Sequence, residues 1–169
     1  MIKIITPLSQ VDSAAAFTLG TQTMDKSGNI YIYMTGVAST IVGSWVTYDE
    51  LYITTLLVAN AKGPVAVSMG INVASTYGWY QIFGSCEACV ITTTSADTTI
   101  GFETTAGYVG DGKAAGDMIY GAMCRESSAS TTGVYTCQIC YPFVTDESAY
   151  TIVISLCFSF IREARMRLL

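Results

Sequence analysis

Large apolar and small polar residues alternate along most of the chain with a period of two. Asn29 to Met34 is the clearest case. Ile30, Ile32 and Met34 fall on one side, Tyr31 and Tyr33 on the other. Both sides are apolar or amphipathic, so this strand is expected to be covered on both faces. Gly43–Tyr48, Leu51–Val58, Pro64–Met69, Trp79–Phe83, Cys86–Thr93, Thr98–Thr104, Met118–Cys124 and Gly133–Tyr141 read as further strands. Gly63-Pro64, Gly84 and Asp111-Gly112 punctuate them, and Pro142 closes the set.

The two ends differ from this middle. Met1 to Gly28 holds no sustained alternation and finishes in the turn signal Asp25-Lys26-Ser27-Gly28. It reads as an irregular arm. Tyr150 to Ile161 alternates strongly. Ile152, Ile154, Leu156, Phe158 and Phe160 share one face, and Thr151, Val153, Ser155, Cys157 and Ser159 share the other. A helix would scatter these large residues around its axis, so a strand is expected. Arg162 to Leu169 reads as a short helix. The pattern therefore divides into an arm over 1–28, a β domain over 29–144 and a C-terminal strand with a basic tail over 145–169. Roughly nine or ten short strands with turn signals every 8–12 residues predict an all-β fold, a compact β-sandwich or barrel.

Composition sharpens this picture. The 169 residues are 51% hydrophobic and only 12% charged. An ordinary soluble domain carries about 25% charged residues. So little charge predicts that much of the surface faces other protein. The net charge of −5 gives nothing that points to nucleic acid, whose binding requires a basic stripe. Arg162, Arg165 and Arg167 are three of the eight basic residues, and the tail they form suits an acidic partner or plain solvent. Met1 to Ile5 shows no signal-peptide pattern. The apolar run Ala149–Ile161 is shorter than the roughly 20 residues of a spanning helix. The expectation is a protein made in a cytoplasm, with no membrane partner.

Candidate chemistry is sparse. The chain has no His, which removes the commonest general base and metal ligand. The carboxylates Asp49-Glu50, Asp111 and Asp146-Glu147 stand in turn-like contexts, and nothing marks a catalytic pair. Gly107, Gly110 and Gly112 are followed by no Lys-Ser or Lys-Thr, so they read as turn glycines. No enzymatic activity and no cofactor is expected.

Two features remain open. Cys86-Glu87-Ala88-Cys89 and Cys137-Gln138-Ile139-Cys140 are paired Cys-x-x-Cys units, the spacing of a zinc site. Both lie in strand-like runs, where positions three apart point to opposite faces. Buried thiols are the favoured reading, with zinc at Cys86, Cys89, Cys137 and Cys140, or disulfides formed in an oxidising exterior, as alternatives. Cys124 and Cys157 read as small core residues. The aromatic residues Tyr31, Tyr33, Trp79, Tyr80 and Phe83 belong either to the core or to an intersubunit patch.

The order of short motifs resembles a known family. Leu19-Gly20-Thr21 and Gly28-Asn29-Ile30-Tyr31-Ile32-Tyr33 precede Gly63-Pro64-Val65-Ala66-Val67 and Tyr77-Gly78-Trp79-Tyr80-Gln81-Ile82-Phe83-Gly84. Thr104-Thr105-Ala106-Gly107-Tyr108-Val109, Ile119-Tyr120-Gly121-Ala122 and Gln138-Ile139-Cys140-Tyr141-Pro142-Phe143-Val144 follow. This set, spanning Leu19 to Val144, resembles the decoration (cement) proteins of tailed-phage capsids. The resemblance implies a tulip-like β fold without a catalytic site. It also implies a homotrimer on the exterior of the virion's capsid, with arms lying across the major capsid protein. On that basis Phe17, Leu19, Tyr31, Tyr33, Trp79, Tyr80, Arg162, Arg165 and Arg167 are candidate interface residues. A tail, fibre or glycan-binding adhesin domain, with Trp79 stacked on sugar, is the alternative. The stretch 145–169 and the six cysteines depart from the family pattern.

Overall fold

The computed structural model describes residues 7–112, 117–128 and 130–145; the expected strand at Tyr150–Ile161, the helical stretch and the basic tail lie outside them. The fold is all-β, with no helix among the described residues. The described residues form eleven strands in order: β1 (Val11–Asp12), β2 (Gln22–Met24), β3 (Ile30–Thr35), β4 (Trp45–Tyr48), β5 (Thr54–Leu56), β6 (Gly63–Ser68), β7 (Tyr77–Val90), β8 (Thr98–Phe102), β9 (Val109–Gly110), β10 (Met118–Cys124) and β11 (Gly133–Val144).

β7 organises the rest. Its first half pairs with β3, Tyr33 opposite Trp79, and its second half with β11, Cys137 opposite Cys86. A ring closes through β7, β9, β8, β10, β11 and back to β7. β6 pairs with β7, β11 and β4, and β5 edges β4. Among the described residues every pairing is antiparallel except β7 with β9.

One strand can serve both halves because it bends at Gly84. Gly84 has φ +102, and a Cβ there would run into the Asn29 side chain. The expected strands Trp79–Phe83 and Cys86–Thr93 are therefore one strand, and Gly84 is a bend within it rather than a break. Gln81, fully buried, stitches the bend. Its Nε2 donates to Phe83 O at 3.1 Å and Ser85 O at 2.8 Å, one carbonyl on each side of Gly84.

Burial follows the alternation. Ile32 and Met34 pack with Val46, Ala66, Tyr80 and Ile82. Tyr31 and Tyr33 face the other way and pack with Trp79, so β3 is covered on both faces as its pattern predicts. The main core lies inside the ring, around Trp45, Leu57, Val67, Val90, Ile100, Ile119 and Ile139.

Two expected boundaries differ. Leu51–Val58 contributes only Thr54–Leu56 to the sheet. Asp49 Oδ1 accepts from Leu51 N and Ile53 N, both at 2.9 Å, and this side-chain-capped turn takes the first residues away from the strand. Pro142 does not close the set, because β11 runs through it to Val144. The register shifts between Tyr120 and Ala122, so that Cys140 to Pro142 form a bulge opposite Gly121, with Cys140 and Tyr141 exposed and Pro142 buried. Proline is tolerated at such a bulge, where no ladder donor is needed.

Candidate interaction surface

The N-terminal segment, expected as an arm, lies against the body as far as it is described. Val11 and Asp12 pair with Gly78 and Tyr77. Tyr33 is the centre of the contact. Its hydroxyl donates to Asp12 Oδ2 at 2.6 Å and accepts from Ala16 N at 3.1 Å. The Phe17 ring meets Tyr33 edge-on at 5.2 Å and Trp79 at 5.3 Å, and Tyr33 lies 5.1 Å from Trp79. Leu8 and Leu19 close the sides. Burial and the Asp12 carboxylate push the Tyr33 hydroxyl up to about 12.

Glycines let this box close. A Cβ on Gly78 would run into the Asn72 amide, and one on Gly20 into the Tyr52 ring. The first is the central residue of Tyr77-Gly78-Trp79, and the second that of Leu19-Gly20-Thr21. Both motifs therefore mark close approaches of backbone to side chain.

A second tyrosine anchors the turn before β3. Tyr31 Oη donates to Asp25 Oδ2 at 2.9 Å, and Asp25 Oδ1 accepts from Ser27 N at 2.8 Å and Asn29 N at 3.0 Å. Burial and the neighbouring Asp25 push Tyr31 up to about 12. Burial works against the Asp25 carboxylate, but the hydrogen bonds from Asn29, Tyr31 and Ser27 outweigh it and lower its pKa.

Four of the expected interface residues are thus interior. Tyr33 and Tyr80 are 0% exposed, Trp79 1% and Tyr31 4%. Tyr31, Tyr33 and Trp79 pack together beside the N-terminal segment, and Tyr80 packs on the other face with Ile32, Met34 and Val46, so none offers a face to a partner or a sugar. Phe17 and Leu19 are half-buried against them. Arg162, Arg165 and Arg167 lie outside the described residues.

The cysteine pairs do not converge either. On β11, Cys137 is buried and Cys140 exposed. On β7, Cys89 Sγ points to Val42 O at 3.5 Å, away from Cys86. Among the described residues no group of three or more His, Cys, Asp or Glu is arranged to hold a metal ion. The structure does not bring Cys86, Cys89, Cys137 and Cys140 around one point. The sheet brings a different set together. Cys137 sits opposite Cys86 on one side and Cys124 on the other, all three buried. They form a line across β7, β11 and β10 rather than surrounding a point. Burial pushes the Cys86 thiol up to about 12, with Glu87 and Cys124 adding to it, and raises Cys137 as well. Such thiols are weak nucleophiles at neutral pH. Sequence spacing hid this row, because Cys124 belongs to neither Cys-x-x-Cys unit.

The exposed surface is apolar at several places that the sequence did not single out. Leu51 is 64% exposed, Ile71 57%, Tyr141 54% and Ile53 50%. On the outer face of the sheet, Phe83 packs on Tyr141 at 5.6 Å and Tyr120 stacks on Phe143 at 5.1 Å. Tyr141 has φ +45 and Gly121 φ +75, and a Cβ on Gly121 would lie 2.6 Å from Cys140 O. The bulge that turns Tyr141 outward therefore depends on glycine in the neighbouring strand. An open cleft of about 470 Å³ lies between Tyr48, Asp49, Glu50, Tyr52, Lys62 and Pro64. Asp49 there is occupied by its own turn.

No family model, curated protein or solved structure matches the chain.

Proposed function

We propose that this is a capsid decoration protein, non-enzymatic, which binds the outside of a major capsid protein shell as a homotrimer and stabilises it. The observation that carries the reading is the exposed surface. Leu51, Ile53, Ile71 and Tyr141 stand out to solvent on a chain with only 12% charged residues. Exposed apolar side chains on a surface with so little charge suit contact with other protein. The ordered motifs support it further. They fold into one unit, in which Tyr77-Gly78-Trp79 receives the N-terminal segment and Gly107 accepts from Trp45 N at 3.0 Å.

The mechanism is mechanical. A trimer presents its apolar contacts three times, and once one is made the others become intramolecular, so modest contacts sum to firm attachment. Binding the assembled shell better than its dissociated subunits stabilises the shell by mass action. The test is addition of purified protein to shells of its own virus that lack it. Expected are bound trimers and a higher shell melting temperature. Monomeric protein that neither binds nor shifts the melting temperature refutes the reading.

A further inference from the structure

The row of buried thiols has a use that core packing does not require. Cys137 on β11 is the direct register partner of Cys86 on β7 and of Cys124 on β10. Residues opposed in an antiparallel pair have Cα atoms about 4.5 or 5.5 Å apart, and both spacings fall inside the roughly 4.4–6.8 Å window of a disulfide. Cys137 can therefore bond to either neighbour, but to one at a time.

The surroundings choose between them. Cys86 sits mid-strand in the longest strand of the sheet. Cys124 is the last residue of β10, beside the connection to β11, and its Sγ donates to Glu126 O at 3.0 Å. Strand ends next to a connection open more readily than strand centres.

The geometry points to Cys124 and Cys137 as an oxidation site, joined into a cross-strand disulfide by a peroxide. One thiolate of the pair attacks hydrogen peroxide. The O–O bond breaks, a sulfenic acid forms, and the departing hydroxide takes up a proton to become water. The second thiol then attacks the sulfenic sulfur; the S–O bond breaks and a second water leaves with the thiol's proton. Two thiols and one peroxide become one disulfide and two waters. Burial makes the first attack slow, because the thiolate forms only when the end of β10 opens. The bond therefore forms gradually, after the protein leaves a reducing compartment, and clips β10 to β11 beside their connection.

Folded full-length protein is treated with hydrogen peroxide, then unfolded in alkylating reagent without reductant, digested and mapped by mass spectrometry. Expected is a peptide linking Cys124 to Cys137, with Cys86 alkylated, accumulating faster as the pH is raised. Exposed Cys140 reports that the oxidant acted. Cys86→Ala should keep the link and Cys124→Ala should lose it, with matching circular dichroism spectra. Alkylated Cys124 and Cys137 in samples whose Cys140 is oxidised would overturn the assignment. So would a link from Cys137 to Cys86. The missing Cys124–Cys137 link is read on the wild type and on Cys86→Ala, and the Cys137–Cys86 link on the wild type, whether or not Cys124→Ala folds.

Discussion

Tyr33 on β3 donates its hydroxyl hydrogen to Asp12 Oδ2 at 2.6 Å, across the seam between the N-terminal segment and the sheet. The residues are 21 apart in sequence, and this bond fixes where the segment lies. Tyr33→Phe keeps the ring contacts with Phe17 and Trp79 but removes the bond and leaves Ala16 N without its acceptor. A hydrogen bond to a charged group contributes about 1.5–3 kcal/mol. Chemical denaturation should show a loss of that order, and hydrogen exchange should speed up at Val11 to Phe17 before it does in β7.

The buried tyrosines also predict alkaline sensitivity. Burial raises Tyr31, Tyr33 and Tyr80 to about 12, from about 10 in the unfolded chain. Above pH 10 the unfolded state loses protons that the folded state keeps, so unfolding is favoured as pH rises. Stability from these groups is complete below pH 10 and is lost between pH 10 and 12. Melting curves across that window should fall, and less steeply in Tyr33→Phe. An identical slope in both proteins would contradict the assignment to Tyr33.

Gly78 and Gly28 form a controlled pair. A Cβ on Gly78 collides with the buried Asn72 amide, while one on Gly28, at φ +86, meets nothing within 4 Å. Gly78→Ala should cost about 1–3 kcal/mol through overpacking and loosen the β1–β7 pairing. Gly28→Ala should cost about 1–2 kcal/mol from backbone conformation alone, without disturbing β1. Urea denaturation combined with amide exchange separates the two.

Gln81→Leu should test the bend in β7. It leaves Phe83 O and Ser85 O without their donor. Each such hydrogen bond contributes about 0.5–1.5 kcal/mol, so this substitution, apolar and similar in volume, should lower the urea midpoint.

Core and surface should part company in a binding assay. Trp79→Ala removes a fully buried indole and should cost about 3–5 kcal/mol of stability. Leu51→Asp and Ile71→Asp change exposed side chains and should stay within about 0.5 kcal/mol of wild type. If the exposed apolar residues meet the shell, these two variants lose shell binding while melting normally. Unchanged binding by both would remove these positions from the contact.

Much of this protein is legible in its sequence. Period-two alternation placed β3 and predicted its cover on both faces, because a strand's side chains point alternately whatever it pairs with. The span Met118–Cys124 and the all-β class follow from the same local rule. Other features depend on which strands become neighbours. Trp79, Tyr80 and Tyr33 read as core or interface; the N-terminal segment covers Trp79 and Tyr33, while Val46 and Ala66 from neighbouring strands cover Tyr80. Cys86 and Cys89, three apart on one strand, looked like a pair. The real row is Cys86, Cys137 and Cys124, set by the register of β7, β11 and β10. Gly84 looked like a break and is a bend, because Gln81 satisfies the carbonyls around it. Alternation is written into each segment by backbone geometry, whereas cross-strand neighbours are fixed only by pairing between residues far apart in the chain.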